Sequence, residues 1–171
     1  VPVKLDGKRL PLVELIDHLN TVAGQYGVGR FDMIENRLVG IKSREVYEAP
    51  AADVLLKAHD ELESFVMDRE FIHYKRVLSD KYADLVYFGL WFSPLKKALD
   101  AFFASNQERV TGTVRFKLDR GHAICVGRAS KYALYQEKLA TYSKGDLFDH
   151  KSAAGFMKLW GLPYEGMYKN K

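Results

Sequence analysis

Glu35 and Tyr47 are the side chains whose types and spacing point most directly to ligand chemistry. Glu35 opens the polar triplet Glu35-Asn36-Arg37, which reads as a turn, and Tyr47 follows twelve residues after Glu35, beside Glu48. If the stretches on either side pair as a hairpin around that triplet, both side chains end near one rim. A carboxylate there can pair with an α-ammonium group, and a phenol can donate to a carboxylate or carbonyl. A solvated turn acid and a half-buried strand tyrosine fit the same spacing, and the residues alone leave both readings open.

Other clusters offer less. No two of His18, His59, His73, His122 and His150 stand three or four residues apart. His59 with Glu63 is the one helical pair that could share a ligand; metal sites usually want three ligands or more, so no metal site is expected. Gly24-Gln25-Tyr26-Gly27-Val28-Gly29 follows a helical stretch and opens an extended one. A dinucleotide fingerprint runs the other way, so this loop reads as helix stop and turn. Neither a Walker motif nor a Ser-Gly-Gly phosphate loop occurs. Cys125, the single cysteine, sits in the apolar run His122-Ala123-Ile124-Cys125-Val126 and reads as an inert core thiol. Asp68-Arg69-Glu70, with Arg76 facing a similar side, reads as a salt-bridged helix face. No Ser/His/Asp or Cys/His arrangement is legible, and no catalytic residue is assigned.

The elements that must position these groups follow from periodicity. Val1 to Leu5 reads as a short strand and Asp6-Gly7 as a turn. Leu10 to Ala23 has helical spacing, with Pro11 in its first turn and Gly24 as terminator. Phe31 to Ile34 and Leu38 to Lys42 read as extended, on either side of Glu35-Asn36-Arg37. Ala51 to about Leu78 is the longest helical signal; a second run covers Tyr82 to Trp91. Ser93-Pro94 reads as N-cap and first residue of a further helix. Arg109 to Leu118 and His122 to Gly127 form the clearest hairpin, around Asp119-Arg120-Gly121. Lys131 to Ala140 is ambiguous, and Asp149 to Trp160 reads as a short helix stopped by Gly161 and Pro163. Strands arriving in adjacent pairs argue for an α+β fold, an antiparallel sheet built from hairpins and covered by helices.

Composition narrows the class. A chain of 171 residues suits one domain with a tail, by the prior of roughly 100–200 residues per domain. With 47% hydrophobic residues it can bury a core without staples. A net charge of +4 is spread along the chain rather than gathered in a block, so it does not by itself indicate a nucleic-acid protein. An RNA-binding or assembly domain remains the rival reading, given pI 9.0 and 13% aromatic residues. Against it, Phe116 alternates inward with Val114 and Leu118 instead of offering a stacking face. No run of about 18 apolar residues is present, so no membrane span is expected. No signal peptide is legible and the chain begins Val1-Pro2, which reads as a fragment or an excised domain.

Seven blocks, in order along the chain, carry a family resemblance. They are Gly27-Val28-Gly29-Arg30, Glu35 through Arg44, Val46-Tyr47-Glu48-Ala49-Pro50, Met67-Asp68-Arg69-Glu70, Gly89-Leu90-Trp91-Phe92-Ser93-Pro94, Gly127-Arg128-Ala129-Ser130 and Gly155-Phe156. Together they resemble the C-terminal part of the argininosuccinate synthase family. The resemblance implies an ATP-dependent ligase that joins citrulline to aspartate through a citrullyl-adenylate. It implies that Glu35 and Tyr47 grip citrulline. It also implies that ATP with its Mg ion is bound by an N-terminal half outside this chain, so that this chain binds no cofactor and is inactive alone. Residues 1–148 would be the synthetase domain completing the citrulline site. Residues 149–171 would be a helical arm for subunit contacts, carrying Phe156, Leu159, Trp160, Leu162, Tyr164 and Tyr168. A cytoplasmic homotetramer, with neither nucleic acid nor membrane as partner, is the expected setting.

Overall fold

A computed structural model describes residues 1–140 and 149–169. The boundary expected at residue 148, Asn170, Lys171 and the Tyr168 side chain lie outside these described residues. The chain forms two compact units, Val1–Leu134 and Tyr135–Lys171.

The first unit is α+β. Its elements are β1 (Lys4–Leu5), β2 (Lys8–Arg9), α1 (Leu12–Gln25), β3 (Arg30–Asn36), β4 (Lys42–Glu48), α2 (Pro50–Val66), α3 (Arg69–Tyr87), α4 (Pro94–Asn106), β5 (Thr113–Asp119) and β6 (His122–Ala129). The strands pair as three separate antiparallel ribbons, β1–β2, β3–β4 and β5–β6. The first and last ribbons turn on two residues that both have positive φ, Asp6-Gly7 and Arg120-Gly121, the geometry that matches strand twist. A core of Leu19, Ala23, Val28, Ala51 and Val54 lies between α1 and α2, and Phe116, Leu118 and Ala123 of the β5–β6 ribbon pack against it. Phe116 therefore faces the core, as its alternation predicts.

Helix α1 runs one residue past the expected stop at Gly24. The stop is Gly27 instead. At φ +72° it lets Val28 N–H reach the Ala23 carbonyl (3.2 Å) and its own N–H reach Gly24 (2.9 Å). Val28 and Ala23 are both buried, so the same cap closes the core. Gly29 then meets the start of α2: a Cβ there would lie 2.5 Å from Pro50 Cα, while the Gly29 carbonyl accepts from Ala49 N–H at 2.8 Å. Helix α2 has no cap of its own, and Asn20 Oδ1 of α1 accepts from Ala51 N–H at 2.9 Å. The glycine loop is thus a packing junction.

The long helical signal is two helices. Met67 and Asp68 are extended, and Asp68 Oδ1 accepts from Phe71 N–H at 3.0 Å, starting α3 afresh. Asp68 is therefore an N-cap and not part of a continuous salt-bridged face. Lys75 of α3 reaches across the break to buried Glu63 of α2 at 2.6 Å, and Gln107 Nε2 donates to the same carboxylate at 3.0 Å. Ser93 caps α4 through Lys96 N–H, with Pro94 at the first helical position, as expected.

In the second unit, α5 (Glu137–Ala140) precedes α6 (His150–Lys169). Helix α6 continues through Gly161 and Pro163, where a stop was expected. A proline forfeits one backbone hydrogen bond, and Phe156 stacks on Trp160 one turn later (centroids 5.6 Å apart), supporting the run into that turn. Phe156, Leu159, Trp160, Leu162 and Tyr164 are exposed. Among the described residues no helix is long and apolar enough to cross a membrane.

Gly29→Ala is expected to destabilise the chain by about 3 kcal/mol or more, because it joins a left-handed backbone to a collision with the start of α2. Gly40→Ala, at φ +84° with open space around it, should cost only about 1 kcal/mol. Urea denaturation of both variants checks the difference; equal losses would mean that the junction at Pro50 is not the constraint.

Candidate functional site

The β3–β4 ribbon carries the candidate residues. Its register pairs Phe31 with Tyr47, Met33 with Glu45 and Glu35 with Ser43. Alternation puts these six side chains on one face, and the next position in the series is Arg37. The turn lies later than Glu35-Asn36-Arg37. It spans Arg37 to Ile41, closed by Arg37 N–H to the Ile41 carbonyl and Gly40 N–H to the Arg37 carbonyl (both 2.9 Å). Gly40 supplies the positive φ this turn needs. Glu35 is consequently a strand residue, and exposed Leu38 and Val39 form the tip instead of a strand.

The structure brings Glu35 and Tyr47 into direct contact. The Tyr47 phenol donates a short hydrogen bond to Glu35 Oε1. Glu35 Oε2 receives Arg37 Nη1 at 2.9 Å and the Tyr87 hydroxyl at 3.2 Å. Arg37 Nη1 also donates to the Tyr87 oxygen at 3.0 Å. The rest of its guanidinium is engaged by Glu45 Oε1 at 2.6 Å and Ser43 Oγ at 2.8 Å. The Glu35 side chain is only 13% exposed, whereas Tyr47 is 42% exposed on the ribbon's outer face. The Tyr47 hydrogen bond holds the Glu35 carboxyl below its ordinary value; partial burial opposes this, and Tyr87 and the Arg37 charge add to it. The same contact raises the Tyr47 phenol. The result is an ionised carboxylate, oriented by its neighbours, at the edge of an open face. It can accept a cationic N–H donor.

Arg37 and Tyr87 were not legible as partners. Arg37 stands within the motif, but its role depends on a turn placed after it. Tyr87 ends α3, fifty-two residues from Glu35, and no local pattern links the two. Elsewhere, His59, Asp60 and Glu63 lie close enough to share an ion, yet the Glu63 oxygens are engaged by Lys75 and Gln107. Cys125 is half-buried and not a core residue: it pairs across the ribbon with Phe116, and Arg128 Nη2 lies 3.4 Å from its sulfur. The bulge between Arg115 and Phe116 shifts the register there and leaves Cys125 at the edge of the core.

A carboxyl whose native pKa is depressed adds stability above its unfolded value and loses it as pH falls through the native one. The Glu35 contacts should therefore be intact at neutral pH and weaken as the pH falls below the ordinary glutamate value and through the lowered native one. Carbon-detected titration of Glu35 is expected to show a midpoint under the ordinary 4.5, moving upward in Tyr47→Phe. A midpoint indifferent to that substitution would remove Tyr47 as its main cause.

A family profile described as the arginosuccinate synthase C-terminal domain matches residues 1–167. An argininosuccinate synthase of Symbiobacterium thermophilum is 59% identical over 174 residues, covering 100% of this chain and 43% of the relative. One from Bacillus pumilus is 60% identical over 162 residues, covering 95% and 40%, and one from a Synechococcus strain is 58% identical over 163 residues, also covering 95% and 40%. This chain thus spans 40–43% of the length of these curated relatives. On the profile match and these identities, the chain belongs to the argininosuccinate synthase family and corresponds to its C-terminal domain.

Proposed function

We propose that this chain is part of an ATP-dependent ligase that condenses citrulline with aspartate, and that it supplies Glu35 and Tyr47 to the citrulline pocket. The contact between these two side chains on an open ribbon face is the observation that carries this reading. The citrulline ureido oxygen attacks the α-phosphate of ATP; pyrophosphate leaves and a citrullyl-adenylate forms. The aspartate amine then displaces AMP, giving argininosuccinate.

Glu35 pairs with the α-ammonium of citrulline, and Tyr47, whose one proton is donated to Glu35 Oε1, holds that carboxylate in direction and offers its oxygen as an acceptor at the rim of the pocket. Neither transfers a proton. Their contribution is positioning: a held citrulline keeps a weak nucleophile in line with the phosphate. ATP with its Mg ion and aspartate are handled by the remainder of the enzyme. The packing of the glycine loop against Pro50 and Gly121 supports that division, because its backbone is committed to the fold. The exposed apolar side chains of α6 support a subunit-contact role in a homotetramer. A cytoplasmic setting fits this reaction.

In the full-length enzyme carrying this chain, Glu35→Gln is expected to raise the citrulline KM about 10- to 100-fold with little change in kcat, as for a lost contact to a charged group. Steady-state pyrophosphate release checks this. A large fall in kcat at unchanged citrulline KM would contradict the positioning role.

A further inference from the structure

Resting on that reading of the pocket, we propose that Tyr87 is a positioning residue. Its hydroxyl, together with Arg37, occupies Glu35 Oε2 and leaves Oε1 as the oxygen that receives the citrulline ammonium. A carboxylate offers about four acceptor positions, two on each oxygen. Among the described residues, Oε2 accepts from Arg37 and Tyr87, whereas Oε1 accepts from Tyr47 alone. One acceptor position is therefore left, on the oxygen beside the partly exposed phenol.

Tyr87 is suited to this because its backbone is fixed from elsewhere. It is the last residue of α3, and Gly89 closes that helix at φ +73°. Leu90 N–H donates to the Leu85 carbonyl at 2.8 Å, and Leu85 is buried. Every other member of the cluster (Glu35, Arg37, Ser43, Glu45 and Tyr47) belongs to the β3–β4 ribbon and its turn. Among the described residues Tyr87 alone connects that cluster to a helix.

The test compares Tyr87→Phe, Glu35→Gln and the double variant in the full-length enzyme. Tyr87→Phe keeps the ring and removes only the hydroxyl; equal melting temperatures confirm that the fold is intact. The citrulline KM should rise about tenfold, with kcat and the aspartate KM held within about twofold. The groups facing Glu35 are Arg37, Tyr47 and Tyr87, with Glu45 and Ser43 acting through Arg37. Loss of a donor to the charged form moves the acid limb of kcat/KM for citrulline to higher pH. In the Glu35→Gln background, Tyr87→Phe should add less than about twofold, because the two act as one unit. If Glu35→Gln raises the citrulline KM while Tyr87→Phe moves neither KM nor the acid limb, Tyr87 has no positioning role and the pocket stands. A uniform loss that includes aspartate, or additive effects in the double variant, also overturns the proposal. If Glu35→Gln itself leaves the citrulline KM unchanged, the pocket reading fails, and this proposal fails with it.

Discussion

The Glu35 carboxylate is where the outer end of the β3–β4 ribbon meets helix α3. Two-stranded ribbons are marginal in water because they bury little and leave both edges unpaired. Among the described residues β3–β4 pairs with no third strand, so its geometry has to be set at its ends. The root is set where Gly29 admits the backbone of Pro50 and accepts from Ala49. The outer end is set where Tyr87 and Arg37 converge on Glu35 Oε2. A ribbon tied at both ends holds the side chains between them in a narrower range of positions than a free hairpin would.

The same cluster decides the charge of the face. Arg37 is shared by Glu35 and Glu45, so one cation stands against two carboxylates and one negative charge is left over. Ordinary surface ion pairs contribute little. Here the pair is mostly covered on the acid's side and tied to a phenol on each oxygen, so its value lies in fixing direction more than in stability. An ionised acid already held by neutral donors and a balanced guanidinium needs little rearrangement to accept one ammonium group, and this is the economy of a preformed site.

Much of this was legible in the sequence, and the failures have physical causes. The Glu35–Tyr47 meeting could be anticipated because strand alternation and a twelve-residue separation bring two positions onto one face. The turn could not be placed correctly. Polar Glu35-Asn36-Arg37 looks like a turn and apolar Leu38-Val39 like a strand, but the backbone follows Gly40, the residue that tolerates positive φ. The break at Met67-Asp68 was hidden because apolar periodicity runs on through it, and two extended residues with a cap to Phe71 N–H separate the two helices. Pro163 misled in the opposite sense, since one lost hydrogen bond does not end a helix whose neighbouring bonds remain. Tyr87 lay beyond sequence reasoning altogether: a contact across fifty-two residues leaves no periodic trace at either end.

The placement of the hydrophobic residues explains why the site is open. Leu19, Ala23, Val28, Ala51 and Val54 make a small core between α1, α2 and the β5–β6 ribbon. The β3–β4 ribbon lies outside it, with Ile34, Val46, Leu38, Val39 and Ile41 exposed on its far face and tip. The face opposite the cluster carries the ion pairs Arg44–Asp32 and Arg30–Glu48 beside exposed Ile34 and Val46, and the cluster's own face exposes Phe31 and Met33, so neither face covers a core of its own. The ribbon is organised to be enclosed. Apolar exposure on this scale marks surfaces made for contact, and a carboxylate at the rim becomes stronger as an electrostatic partner once water is excluded around it. Enclosure by the remainder of the enzyme, in the function proposed, would thus do two things at once. It would cover the exposed apolar groups of the tip and of both faces, and it would exclude the remaining water from a carboxylate that is already largely covered and whose orientation Tyr87 and Arg37 had fixed.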